Sequence, residues 1–244
     1  VSDPQGLAFD ALAEDYDLGR TGWPMAMLDG LDGESVLDLA AGTGKLTSLL
    51  VRRYPDVVAV EPLAGMRAIL ERNAHEATVL AGHAEHIPID DCSVDAVFVA
   101  EAFHWFDSKL AVREIARVLR PGGTLLVCFM EWLGDFDPPL PTVVRETLAT
   151  VWAGLPAPGG PKVQSGAWKA GFATAPFGPL AERTHPYTWT TGRDGIAAYF
   201  VSTSSMGALP ADERTALRER LVELVPDVEY TLATQARVFR TVRS

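Results

Sequence analysis

The chain has 244 residues, enough for one α/β domain with added elements and too few for two average domains. Hydrophobic residues make up 48% and charged residues 22%, a globular balance that excludes wholesale disorder. The formal net charge of -11 would repel a phosphate backbone, so nucleic acid is excluded as the expected partner.

Apolar stretches such as residues 125–130 fall far short of the ~18 residues of a membrane span, so no membrane partner is expected. Residues 1–10 lack the basic and apolar regions of a signal peptide. Cys92 and Cys128 are the only cysteines, which suggests free thiols and neither a disulfide framework nor a thiolate metal site. A cytoplasmic, unexported protein is the expectation.

From Ser35 to Met130, β-rich runs alternate with helical patterns, the signature of a parallel sheet. Residues 35–39 read as a first strand, after which Leu46, Leu49 and Leu50 recur at helical spacing. A second strand spans residues 57–60 and precedes a helix with Met66, Ile69 and Leu70 on one face. Residues 77–81 and 94–99 are the next strands. The latter is nearly continuous in apolar residues and should be central. Asp107 or Ser108 can cap a helix bearing Ile115, Val118 and Leu119, which Pro121, Gly122 and Gly123 should stop before a strand at 124–130. Beyond Met130 the stretches 134–141 and 154–161 are rich in Pro and Gly. Helices are expected around 196–205 and 211–225, with strands at 182–190 and 229–242 joining the sheet as an antiparallel pair. The expectation is one α/β domain over residues 1–244, built on a mostly parallel seven-stranded sheet with helices on both faces.

The run VLDLAAGTG at residues 36–44 passes from a strand through a glycine turn into a helix, where backbone N–H groups can approach a ligand closely. A phosphate-binding Walker loop would need Gly where Leu39 stands and Ser or Thr in place of Leu46. A dinucleotide fingerprint would use Gly42, Gly44 and a small residue at Thr47, with Glu61 placed for a ribose, so a nicotinamide-dependent oxidoreductase stays open as an alternative.

Four segments together resemble the class I S-adenosylmethionine-dependent methyltransferases, in their methyltransferase type 11 and trans-aconitate methyltransferase-like branch. They are VLDLAAGTGKLT at residues 36–47, VAVEPLAGM at 58–66, AGHAEHIPI at 81–89, and the run from Asp95 through AEAFHWFD to LRPGGTLL. Residues 10–24 add Tyr16, Arg20 and Trp23. The resemblance implies a Rossmann-like class I methyltransferase fold, with residues 35–130 as the cofactor-binding core and 1–30 and 131–226 as lid and substrate-shaping elements.

It also implies S-adenosylmethionine as cofactor, approached through Ala40, Gly42, Thr43 and Gly44. Glu61, with Pro62 beside it, would accept from both ribose hydroxyls. Asp38 would order the loop and receive the methionine ammonium, Met66 would stack on adenine, and Ala100 and Glu101 would meet the methionine portion. Tyr16 and Arg20 would close over the ligand, Arg20 pairing with its carboxylate. His83 stands where the family often has Asp for the adenine amino group, so either Glu85 would substitute or the contact would be backbone only, with Ala84 offering its N–H to the ring. His104, expected to titrate near neutrality, is the candidate general base. Trp132, Trp152, Trp168 and Phe172 either line a substrate pocket or fill a core.

Asp137-Pro138-Pro139-Leu140 superficially resembles a motif of nucleic-acid amino methyltransferases, but it lacks the aromatic and stands after the fifth strand. No metal ligand set or nucleophile elbow is seen. The expected activity is methyl transfer to an O, N or C nucleophile of a small molecule. The rivals are the oxidoreductase and a non-catalytic S-adenosylmethionine-binding module.

Overall fold

A computed structural model describes residues 8–155 and 163–244. Seven strands form one sheet in the order β3-β2-β1-β4-β5-β7-β6: β1 (Ser35–Leu39), β2 (Asp56–Val60), β3 (Thr78–Leu80), β4 (Val94–Ala100), β5 (Leu119–Trp132), β6 (Ala181–Thr191) and β7 (Tyr230–Val242). Strands β1 to β5 pair in parallel, while β7 runs antiparallel to both β5 and β6. The mostly parallel sheet with an antiparallel C-terminal pair is therefore as expected. Residues 1–7, within the segment inspected for a signal peptide, and 156–161 of the second Pro- and Gly-rich stretch lie outside the described residues.

Helices cover both faces: α1 (Ala13–Gly19), α2 (Thr47–Leu50), α3 (Ala64–Asn73), α4 (Ser108–Val118), α5 (Thr142–Gly154), α6 (Arg193–Val201) and α7 (Ala211–Leu224). Alternation along β1 splits the core. Leu37 and Leu39 join Val97, Val99 and Ile115 on one face, and Val36 joins Phe98, Leu46 and Leu50 on the other. A third cluster lies in the C-terminal part, where α5, α6 and α7 bring Val144, Leu148, Ile196, Val201 and Leu221 against Tyr230 and Leu232 of β7.

Asp107 caps α4 as expected, its carboxylate accepting from Lys109 N and Leu110 N at 3.0 and 3.2 Å. The expected stop at Pro121–Gly123 is displaced. α4 already ends at Val118 and β5 starts at Leu119, with the pairing register slipping between Val94 and Ala96. Gly122, at φ 79°, lies in this irregularity, and Gly122 N donates to Arg243 O of the neighbouring chain end at 3.0 Å. The Pro-Gly-Gly run is thus a bulge within a strand, because Arg243, just past β7, supplies partners on its far side.

The residues before β1 form a strap across the sheet's carboxyl edge. α1 crosses α6 so closely that a Cβ on Gly19 would lie 2.2 Å from Tyr199 N. Asp10 accepts from Gly65 N at the start of α3 at 2.6 Å, and Asp15 pairs with Arg218 of α7 at 2.7 Å. One short segment thereby touches both the parallel half and the C-terminal cap.

Candidate active site

β1 ends in a reversal that places Ala40 and Gly42 at φ 58° and Gly44 at 87°. Ala40 N and Ala41 N both donate to Val60 O, at 2.8 and 3.2 Å, which pins the turn to the end of β2. A Cβ on Gly42 would meet nothing within 4 Å, so the space above it is open; one on Gly44 would lie 2.7 Å from Leu70 Cδ1. Gly42 lines the cleft. Gly44, expected beside it, instead lets the turn pack on α3.

Asp38 is only 1% exposed, and its Oδ2 accepts from Thr47 Oγ1 at 2.6 Å. Its Oδ1 is buried without a partner, as is Thr43 Oγ1 in the turn. Burial pushes the Asp38 carboxyl up to about 7 in spite of the Thr47 hydroxyl. Glu61, at the end of β2, accepts from Leu63 N through Oε1 and from Gly42 N through Oε2, each at 2.9 Å. It too is raised by burial, against the pull of those two N–H groups.

These groups line one cleft with two lobes, at the carboxyl ends of β1, β2 and β4, where strand order reverses between β1 and β4. The larger lobe, about 300 Å³, is bounded by Asp38, Thr43, Ala100, Glu101, Arg20 and His104. The smaller, about 90 Å³, is bounded by Glu61, Pro62, Met66, Ala102 and Phe106. Phe9, Tyr16, Ala40, Gly42, Ala100, Glu101 and Trp105 belong to both.

Arg20 lies between the rings of Tyr16 and Tyr199, 4.8 and 4.7 Å from their centroids, and donates to Ser202 O at 3.1 Å. Its Nε is buried without a partner. Glu101 closes β4 at φ 55°, and its Oε1 accepts a short hydrogen bond from Met130 N. Burial raises its carboxyl to about 7, against the Met130 N–H and the charge of Arg20.

His104 does line the larger lobe, but the expectation that it titrates near neutrality does not hold. Its ring packs on Trp105 and Phe129, at centroid distances of 5.1 and 5.9 Å, with Nδ1 buried and unpartnered. Burial lowers its pKa to about 4, so the imidazole is neutral at pH 7.

His83, Ala84 and Glu85, expected at the adenine, do not line the cleft. Arg117 of α4 draws their loop away by donating to Ile87 O and Ile89 O at 2.7 and 2.9 Å. Ala84 is buried in the core, and Glu85 accepts from Asp107 N at 2.9 Å, next to the α4 cap. Trp168 and Phe172 pack with Phe103 in the core, Trp132 packs on Tyr199, and Trp152 stands exposed beside Phe200, so none of the four lines the cleft. The walls that the sequence did not reveal are Phe9, Trp23, Trp105, Met130, Thr203 and Ser204. Of these, Trp105 and Trp23 stand inside quoted motifs; nothing local marks Thr203 or Ser204.

Residues 37–127, which carry the β1 turn, the ends of β2 and β4 and most of β5, match a family model described as a methyltransferase domain. This part of the chain is a methyltransferase domain. Uncharacterized methyltransferases of Mycobacterium tuberculosis are 49% identical to this chain over 122 residues, covering 49% of it and 50% of theirs. The chain thus spans about half the length of these curated relatives. An uncharacterized methyltransferase-like protein of Schizosaccharomyces pombe is 29% identical over 89% of this chain and 86% of its own. A demethylmenaquinone methyltransferase of Thermobifida fusca is 37% identical over 52% of this chain and 61% of its own.

The fold beyond the domain is shared too. A candidate type II methyltransferase from Anaeromyxobacter dehalogenans superimposes with a TM-score of 0.61 at 22% identity, over 90% of this chain and 97% of that one. The sheet is that of the Rossmann-like class I methyltransferases. Among the described residues, no helix is long and apolar enough to cross a membrane, and no group of three or more His, Cys, Asp or Glu side chains is placed to hold a metal ion.

Proposed function

We propose that the protein transfers a methyl group from S-adenosylmethionine to a small molecule, releasing S-adenosylhomocysteine, and that it acts in the cytoplasm. The observation that carries this reading is the buried, partnerless Oδ1 of Asp38, which lines a cleft beside the open space above Gly42. An unpaired buried carboxylate oxygen is costly, and a ligand ammonium would satisfy it. Thr43 Oγ1 is a second waiting group, and Arg20 stands ready for a ligand carboxylate. Glu61 retains free lone pairs for two ribose hydroxyls, and Met66, Pro62 and Phe106 offer an apolar slot for a base. The methyltransferase domain and the name of the Thermobifida relative, which specifies a small molecule, point the same way.

Bound there, S-adenosylmethionine would supply an electrophilic methyl group on a sulfonium. The protein's own residues orient and enclose. Asp38, Arg20 and Glu61 would hold the ligand, and approach geometry would supply much of the rate. The strap and cap, acting as lid and substrate-shaping elements, exclude water through Phe9 and Trp23, facing Trp105 beyond the end of β4. His104, neutral at pH 7, positions an acceptor and does not hold its proton.

The test is ligand-induced stabilisation. S-adenosylhomocysteine at a hundredfold excess over its dissociation constant should stabilise the fold by about 2.7 kcal/mol, and NADH and ATP should not. A shift with NADH alone would favour an oxidoreductase. Tight S-adenosylhomocysteine binding with no turnover across an acceptor library would leave a non-catalytic binding module.

A further inference from the structure

The charges of the cleft leave one carboxylate, expected only to border the methionine portion, without a charged partner of its own under the methyl-transfer reading, on which this inference rests. Of the cations bordering the larger lobe, Lys45 is tied to Asp17 at 3.0 Å, and Arg20 is committed to the ligand carboxylate. Asp38 is matched to the ammonium and Glu61 to the ribose. Glu101 remains, at the junction of the two lobes. Its left-handed backbone is one that a non-glycine residue keeps only when its surroundings enforce it. Met130 N holds Oε1, whereas Oε2 has no hydrogen-bond partner among the described residues and is not sealed from the cleft.

The titratable groups that face Glu101 are Arg20 and Tyr16 of the strap, Tyr199 of α6, Tyr187 of β6 and Cys128 of β5, with Asp38 and His104 in the same lobe. Burial raises the three tyrosines and the cysteine, so they stay neutral at working pH. His104 is the weaker base of the two, because burial acts on its ring with no neighbouring charge to stabilise the imidazolium. No uncommitted cation is left to receive an anionic acceptor. Of the remaining walls, Phe9, Trp23, Trp105 and Met130 suit an aromatic body, and Thr21, Thr203 and Ser204 add neutral hydroxyls and no charge.

We propose that Glu101 Oε2 receives the proton of the attacking nucleophile, so that the acceptor is an amine or a phenol on an aromatic body and not a carboxylate or a phosphate. For an amine, the ammonium N–H proton passes to Oε2 and the freed lone pair forms the N–C bond to the methyl group. The C–S bonding pair stays on sulfur, and the proton then leaves Glu101 for solvent. For a phenol the oxygen plays the same part. Because burial raises the Glu101 carboxyl to about 7, turnover should climb through that pH as the carboxylate forms.

The test uses protein saturated with S-adenosylhomocysteine, titrated calorimetrically with 2-phenylethylamine, 4-ethylphenol and phenylacetate. The same three compounds are then offered with S-adenosylmethionine. The amine or the phenol should bind at least tenfold more tightly than phenylacetate and become methylated, and which of them does so names the acceptor atom. Glu101→Gln keeps an Oε1 for Met130 N and should retain S-adenosylhomocysteine affinity. It should lower turnover about 100-fold and flatten the climb through pH 7. Preference for phenylacetate, indifference to both other compounds, or a Glu101→Gln variant with the wild-type pH profile would overturn the proposal. Failure of S-adenosylhomocysteine to bind at all would instead strike the methyl-transfer reading itself.

Discussion

The parallel half of the sheet and the strap with its cap meet at the same cleft, but they build their walls from different chemistry. The parallel half contributes backbone turns and buried carboxylates whose partners lie close in sequence: Asp38 with Thr47, and Gly42 with Glu61. The strap and cap contribute aromatic surface and one arginine held between Tyr16 and Tyr199, with Arg20 bonding to a carbonyl 182 positions away. A floor made of local turns can be kept while the walls change. On the proposed reading, ligand affinity draws on both regions, whereas the shape offered to an acceptor is set by the walls.

The comparison breaks first at Gly19. Gly19→Leu drives a side chain into the backbone of α6, so the strap cannot dock. The variant should lose about 3 kcal/mol of stability or more, and S-adenosylhomocysteine affinity should fall with it because Tyr16 and Arg20 leave the cleft. Calorimetry and a denaturant titration check both. Undiminished affinity would mean that the floor binds the ligand unaided.

Asp38 separates stability from binding. Its carboxyl is raised in the fold, so at acid pH both folded and unfolded chains are protonated and burial costs nothing. Between about pH 4, where the unfolded chain ionises, and about 7, where the folded one does, stability attributable to Asp38 falls; above that the loss is constant. Asp38→Asn should therefore stabilise the ligand-free protein at pH 8 by about 2–4 kcal/mol. Relative to wild type, the gain should vanish below about pH 4. Affinity for S-adenosylhomocysteine should drop in the same variant. Equal urea midpoints for the two proteins at pH 8 would contradict a buried charge.

Glu61→Ala removes the expected ribose acceptor and should cost roughly 1–3 kcal/mol of S-adenosylhomocysteine binding, measured calorimetrically, without unfolding the protein. The smallest effect belongs on the far face of the cap. Arg220→Ala breaks an exposed i,i+3 pair with Glu223 on α7 and should change stability by less than about 1 kcal/mol, leaving ligand affinity untouched.

The same division explains what could be read before the structure was known. The floor was legible because strand, turn and helix follow one another within residues 35–66 and each leaves a periodic or glycine mark. Pro121–Gly123 carries helix-stop chemistry that sets the expected β5 start too late, and only the distant bonds to Arg243 hold the run as a bulge within the strand. His83 to Glu85 were assigned to the cleft by resemblance, yet Arg117, about 30 positions on, holds their loop against α4. Thr203 and Ser204 carry no local signal, since they reach the cleft only through the packing of α6 beneath the strap.

That packing also sets an order of events. The strap is synthesised before the sheet, and its docking surface on α6 and α7 is synthesised after nearly all of it. The parallel half can assemble as it leaves the ribosome, but Tyr16 and Arg20 have nowhere to settle until residues near 199 and 218 follow. The cleft is therefore finished only after α6 and α7 have been made. On the proposed reading, ligand binding becomes a report that α6 and α7 have arrived, and a nascent chain released before α6 would carry the glycine turn and still hold its ligand weakly.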